Sequence, residues 1–301
     1  MHSATILHSC FALQSNQSLC GAGRKSQIGG TSILKEFNSI EQEHLKDLER
    51  IKNFRLMDDE FMSAVLSDNP EAIELVLQII LDSPTLKVEH SHTQESIHNV
   101  FGKDVILDVF CSDDRGTVFN VEIQRSDQGA VPRRARYHAS MIDNRVLKPG
   151  EAFQSLPESY IIFITENDYF GHSMPLYHVD RFVEEVGLPF DDFQHIIYVN
   201  GQYKSSDPIG KLIHDFWCTN AEDIYHKVLR DSVSYYKDNE EGSKAMCREL
   251  EEMRTNSELK GEEKANRKAI ANFLKIGQTV EQIVQLNYPE DLVREVAEEV
   301  K

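Results

Sequence analysis

The chain has 301 residues, 40% of them hydrophobic, with five cysteines and a formal net charge of −18. That length carries one large domain or a domain of about 200 residues with appendages, and no apolar run approaches the roughly 18 residues of a membrane span. The charge excludes indiscriminate nucleic-acid binding by the whole surface, and scattered cysteines with no C-x-x-C pair exclude a disulfide scaffold and point to a cytoplasmic protein with reduced thiols.

In chain order, residues 1–35 are rich in Ser, Gly and Gln without periodicity and read as a disordered extension, followed by a polar helix over about 40–53. A compact domain is expected over 54–236 and a charged helical region over 237–301. Asp68-Asn69-Pro70 is a helix start, a capping side chain followed by Pro in the first turn. Ile73, Val76, Leu77, Ile80 and Leu81 then recur at helical spacing. Extended segments are predicted over 86–90, 96–101, 105–111 and 118–124, and a helix over 132–146. The apolar runs 160–165 and 195–200 suit strands buried on both faces. Beyond Gly201 the pattern is helical, over 211–217, 221–236, 243–276, 280–286 and 289–300. This order implies a mixed α/β sheet covered by helices.

Chemistry concentrates on the hairpin formed by 105–111 and 118–124. A three-residue loop, Asp114-Arg115-Gly116, places Gly116 at a left-handed position that closes the turn. Counting back pairs Cys111 with Phe119, Val109 with Val121 and Leu107 with Ile123 on an apolar face. The other face pairs Phe110 with Asn120, Asp108 with Glu122 and Ile106 with Gln124. Carboxylates directly opposed on neighbouring strands repel unless a cation lies between them. Mg²⁺, with Mn²⁺ as a substitute, takes such hard oxygen ligands. Asp108, Glu122 and the carbonyl of Ile123 are the candidate donors, and Gln124 is placed to orient a water or contact a phosphate. The alternative is an ordinary polar strand surface. His214 and Cys218 have no second pair at zinc spacing.

The segments Leu56-Met57-Asp58-Asp59-Glu60-Phe61-Met62, Val105 to Val109, Val121 to Asp127, Arg134 to His138, Ile162 to Asp168 and Pro208 to Phe216 together resemble the PD-(D/E)XK nuclease superfamily. Within it they are most similar to the Rpn branch of recombination-promoting nucleases. The resemblance spans roughly 54–254. It implies an αβββαβ core with a mixed central sheet, followed here by C-terminal helices, and Mg²⁺-dependent endonuclease activity on DNA. On the superfamily pattern Asp108 is the first acid, Glu122 the second, and Gln124 stands where most members have Lys. A further acid is expected from the first core helix, with Glu74 (or Glu71) the candidate. Ile106 departs from the branch, which often has a basic residue there.

Between Arg125 and Lys148 six basic residues face only Asp127 and Asp143, so a locally positive face coexists with an acidic chain. Arg125, Arg133, Arg134 and Arg136 are the candidate contacts to the DNA backbone. Two further readings remain open. One is a catalytically inactive scaffold that binds DNA or protein; the other is a recombinase with a three-acid site. Self-association is expected through the C-terminal helices.

Overall fold

In the computed structural model the described residues are 42–99 and 102–300. They fall into two compact units, Met1–Leu45 and Lys46–Lys301. Of the first only 42–45 is described, as helix, and all that follows concerns the second. The extension over 1–35 with Cys10 and Cys20, the start of the 40–53 helix, and the end of the 96–101 segment lie outside the described residues.

A helix over 46–53 (α1) leads into α2 (Asp59–Leu66) and α3 (Pro70–Ile80). At the start of α3 the Asn69 side chain accepts from the Ala72 N–H at 3.2 Å, and Pro70 occupies the first turn, where its missing N–H costs nothing. Periodicity does not reveal α2, because Phe61 to Leu66 are all buried and such a helix has no polar face.

A six-stranded sheet follows, made of β1 (Val88–Ile97), β2 (Val105–Asp113), β3 (Val118–Gln124), β4 (Ser159–Thr165), β5 (Leu176–Val179) and β8 (Gln194–Asn200). Its order is β1-β2-β3-β4-β8-β5. The first three strands are antiparallel, β3, β4 and β8 run parallel, and β5 returns antiparallel to β8. Between β5 and β8 stands a separate ribbon of β6 (Phe182–Val183) and β7 (Leu188–Pro189). The helix α4 (Pro132–Val146) lies between β3 and β4 in sequence. From α3 to β4 the order is therefore αβββαβ.

Two apolar layers hold the sheet. On one face Val109, Val121, Ile162 and Val199 join Phe61 of α2, Leu77 of α3, Phe216 of α5 (Pro208–Trp217) and Leu229 of α6 (Lys227–Asp238). On the other, Phe163 and Tyr198 pack against Ala135, Ala139 and Ile142 of α4. The two apolar runs are thus buried on both faces, as parallel strands between helices require. Two expectations are corrected. Residues 88–90 and 96–97 of the two expected segments belong to the single strand β1, and β5 with its ribbon arises where no strand was expected.

Asp215, fully buried, holds the α5–α6 junction by accepting from Tyr225 N–H (2.8 Å), His226 N–H (2.9 Å) and His226 Nδ1 (2.6 Å). Burial pushes its pKa up, yet the hydrogen bonds from His226 and Tyr225 outweigh burial and hold the carboxyl below its ordinary range. A depressed folded-state pKa gives stability that is present above the unfolded value, about pH 4, and lost as pH falls through the folded one. Asp215→Asn is therefore expected to cost about 3 kcal/mol at pH 7, read from urea midpoints, with little difference left in acid.

The long helix α7 (Glu240–Lys275) is tied to α1 by Arg254, whose two N–H groups meet Asp47 at 2.7 and 2.8 Å. At its end α8 (Val280–Val284) and α9 (Glu290–Glu299) enclose a small cluster of Ile270, Ile283, Val293 and Val296. No described helix is long and apolar enough to cross a membrane.

Candidate active site

The β2–β3 hairpin forms with the counted register from its turn as far as Val109 and Val121. Gly116 is left-handed (φ 85°), and Asp113 N–H donates to Thr117 O at 3.0 Å. There the ladder stops. Asp108 and Glu122 are not a backbone pair; their carboxylates stand between the parting strands. Asp108 Oδ2 accepts from the Ile123 N–H at 3.1 Å, and Glu122 Oε1 lies 3.4 Å from the Asp108 N–H. On the other side β1 also skips a pair at Asp108, where Gln94 is left-handed (φ 52°) with its amide on Ser63 Oγ at 2.9 Å.

Side-chain alternation slips at this point. Val109 and Cys111 join the core beneath α2 and α3, whereas Val105 and Leu107 join the layer beneath α4. The expected pairings of Leu107 with Ile123 and of Ile106 with Gln124 therefore fail. Ile106 instead lines a 640 Å³ cavity with Glu60, Ser63, Gln94 and residues of α7.

A third acid converges on the pair, and it is Asp59 in the first turn of α2. Burial, then the negative charges of Glu122 and Asp59, push the Asp108 carboxyl up to about 9. Asp59 is itself raised, by burial first and then by Glu60 and Glu122. Its Oδ1 is buried without a hydrogen-bond partner. Glu74, the expected third acid, is elsewhere: its carboxylate meets Lys87 Nζ at 2.6 Å and the Val88 N–H at 3.2 Å. It pins α3 to β1.

Glu122, wholly buried, is held from several sides. Arg134 Nη2 donates to Oε2 at 2.9 Å, Asn120 Nδ2 to Oε1 at 3.1 Å, and Gln124 Nε2 lies 3.4 Å from Oε2. Arg134 Nε also meets Nε2 of the buried His138 at 3.2 Å, which leaves the His138 Nδ1 proton facing Glu122 Oε1 at 3.4 Å. Gln124 is seated by a close approach, because a Cβ at Gly129 would fall 1.7 Å from its Oε1. Gly129→Ala should displace that amide and leave the fold intact. We expect about a tenfold lower kcat, with the thermal midpoint unchanged, if Gln124 orients a reacting group.

The N-terminus of α2 is fixed against the end of β3 by alternating charges. Arg125 meets Asp58 at 3.1 Å and Glu166 at 3.3 Å, while Arg55 meets Asp58 at 3.2 Å and Glu166 at 3.7 Å. Asp58 stands at the N-cap position of α2, but its side chain caps nothing there. Of the four arginines expected to face a nucleic acid, the structure thus commits Arg125 and Arg134 to carboxylates. Arg133 and Arg136 are exposed on α4. Ile123 is buried, and its N–H is the one that anchors Asp108.

Asp59 was not legible as a site residue, although three acids before an apolar block (Asp58-Asp59-Glu60) are the charge pattern of a helix N-terminus. Asn120 lay on the hairpin face of Glu122 and His138 at the end of the Arg134 to His138 segment, yet nothing in the sequence marked either as a partner of Glu122. Among the described residues, three donor atoms approach within 4.8 Å at His214, Asp215 and Cys218. Asp215 is already saturated there, and burial pushes the Cys218 thiol up to about 11, against the thiolate that a metal needs.

A family model described as PD-(D/E)XK nuclease family transposase matches residues 60–275. No curated protein and no solved structure matches the chain. The match covers the sheet, α4 and the helices through α7, including Asp108 and Glu122 where the strands part. The chain belongs to the PD-(D/E)XK nuclease family transposases.

Proposed function

We propose that this chain is a metal-dependent DNA endonuclease whose centre is Asp59, Asp108 and Glu122. One observation carries the reading. Three carboxyl groups converge at a break in the sheet with one guanidinium among them, and burial together with the charges of Glu122 and Asp59 drives Asp108 to about 9. A divalent cation relieves such an imbalance, and the donors are of the hard type that Mg²⁺ or Mn²⁺ takes. Asp108, Glu122 and Asp59 would hold it, with the Ile123 carbonyl the expected further donor, and a bound ion would polarise a phosphate and acidify a water.

The chain's own groups supply the rest. The Ile123 N–H orients Asp108, and Asn120 and His138 orient Glu122. Arg134, partly exposed, is the positive charge that Gln124 does not bring, and it is placed to meet charge developing on a phosphate. Arg133 and Arg136 approach the backbone from the first turns of α4, which hold no acidic residue.

Mg²⁺-dependent relaxation of supercoiled plasmid by wild type, and none by Asp108→Asn or Glu122→Gln, is the expected result. Equal cleavage by all three, or by none, overturns the reading. One observation favours the rival, an inactive scaffold: both Glu122 oxygens already have partners within the protein. Binding without cleavage at any divalent-ion concentration would select it. A duplex contact slope of about −0.9 per phosphate is expected in log K against log salt. Arg133→Ala and Arg136→Ala should each make that slope shallower by about 1. An unchanged slope would remove them from the interface.

A further inference from the structure

Beyond the ends of β4 and β8 lies a cavity of 990 Å³ that the catalytic groups do not fill. Open α/β sheets take their ligands at the carboxyl ends of parallel strands, and ligand clefts span roughly 300–1,000 Å³. One wall is Trp217, the last residue of α5 and the one tryptophan of the chain. Its indole N–H donates to Gly201 O at 2.6 Å, and the Arg55 guanidinium lies over its ring, 4.7 Å from the centroid. The ring is thus fixed at its edge and backed by a cation, yet 37% of the residue is exposed.

The loop after β8, which forms another part of the wall, is set as firmly. The Gly201 N–H donates to Thr165 O at 2.8 Å, and the Tyr203 hydroxyl to Asp207 Oδ2 at 2.6 Å. Asp207 in turn caps α5 by accepting from the Gly210 N–H at 2.8 Å. A Cβ at Gly210 would fall 2.2 Å from Ser205 O, so glycine lets this loop close on the helix. A pre-formed cavity of this kind loses little freedom when it is filled.

Charge and position suit a nucleic acid. The Glu166 carboxylate at the rim is paired with Arg125 at 3.3 Å and Arg55 at 3.7 Å. No ion pair among the described residues holds the exposed Lys204, which also lines the cavity. Gln124, whose amide lies beside Glu122, accepts from the Glu166 N–H at 2.9 Å through its backbone oxygen. Gln124 pairs with Thr165 and Thr165 with Asn200, which sets the ends of β3 and β8 two strand spacings apart, about 10 Å.

We propose that this cavity takes an unpaired nucleobase of the DNA, stacked on Trp217 with its phosphate towards Lys204. The assignment rests on the nuclease reading and adds a substrate class to it: DNA with an unpaired nucleotide close to the scissile bond. Every base has a π-face, so an aromatic wall holds a single strand whatever its sequence. A blunt duplex must first unstack and unpair a base before it can offer one.

The emission of the sole tryptophan reads the cavity. In EDTA, which withholds the metal, an oligothymidylate of about 12 nucleotides should quench it saturably. A blunt duplex of the same length should leave it nearly unchanged. Trp217→Ala should weaken binding of a fluorescein-labelled oligothymidylate about 10- to 100-fold by anisotropy. Trp217→Phe should restore most of that affinity, with circular dichroism matching the wild type. No quenching, equal quenching by the blunt duplex, or a folded Trp217→Ala variant of unchanged Kd would each overturn the proposal. Should Trp217→Ala fail to fold, the wild-type quenching decides alone. Quenching without Mg²⁺-dependent plasmid cleavage would overturn the catalytic reading and leave the base site standing; cleavage without quenching would do the reverse.

Discussion

Asp108→Asn is expected to lower Mg²⁺-supported DNA cleavage at least about 10³-fold, some 4 kcal/mol of barrier, while making the metal-free protein more stable. The loss follows from the donor set: the amide keeps the Ile123 hydrogen bond but removes a negative charge from the centre where a cation would sit. The gain follows from the same burial. With its carboxyl pushed up to about 9, folded Asp108 holds a proton at pH 7 that the unfolded chain has released. A folded-state pKa raised in this way favours the fold below the unfolded value, about pH 4, and that support is lost as pH rises through 9. Wild type in EDTA should therefore lose stability steadily from pH 5 to pH 9, and the Asn variant should not. A gain of about 1–3 kcal/mol is expected for the variant near pH 8, shrinking towards pH 5, from urea midpoints across that range. A variant equally active, or less stable than wild type at pH 8, would mean that Asp108 is an ordinary buried acid.

Arg134→Ala should reduce cleavage about 10²-fold, the scale of removing one group that stabilises transition-state charge. It should also destabilise the fold. Glu122 is wholly buried, and Arg134 is its nearest cation at 2.9 Å. Taking one partner from a buried pair costs about 3–5 kcal/mol, reduced to about 2 because a third of Arg134 meets solvent. Gln124 points at the same Glu122 oxygen, so Gln124→Lys in the Arg134→Ala background should recover about tenfold in kcat. Single-turnover cleavage of a labelled duplex measures both. No recovery, with the fold intact, would show that Arg134 acts through its hydrogen-bond geometry or not at all.

Much of the architecture was readable because it follows from local rules. The turn at Gly116, the start of α3 at Asn69-Pro70, and the two strands buried on both faces needed only backbone geometry and periodicity. The register was legible to Val109 and no further, because Val105 and Leu107 turn to the face opposite Val109 and Cys111, a slip that the apolar pattern of β2 does not show. Asp59 escaped because α2 is buried on nearly every side and offers no periodic stripe. Glu74 attracted attention as an acid on a clear amphipathic helix, yet Lys87 and the Val88 N–H claim it. The division of the arginines is likewise tertiary: Arg125 and Arg134 meet carboxylates brought in from α2, β3 and the end of β4.

The central claim is that Asp59, Asp108 and Glu122 form a cation site. Crystals soaked in Mn²⁺, with anomalous differences recorded at the manganese edge, test it most directly. The account predicts a peak in contact with the Asp108 and Glu122 carboxylates, on the Asp59 side of the parted strands. No peak there at saturating Mn²⁺, or a peak confined to His214, Asp215 and Cys218, would contradict it.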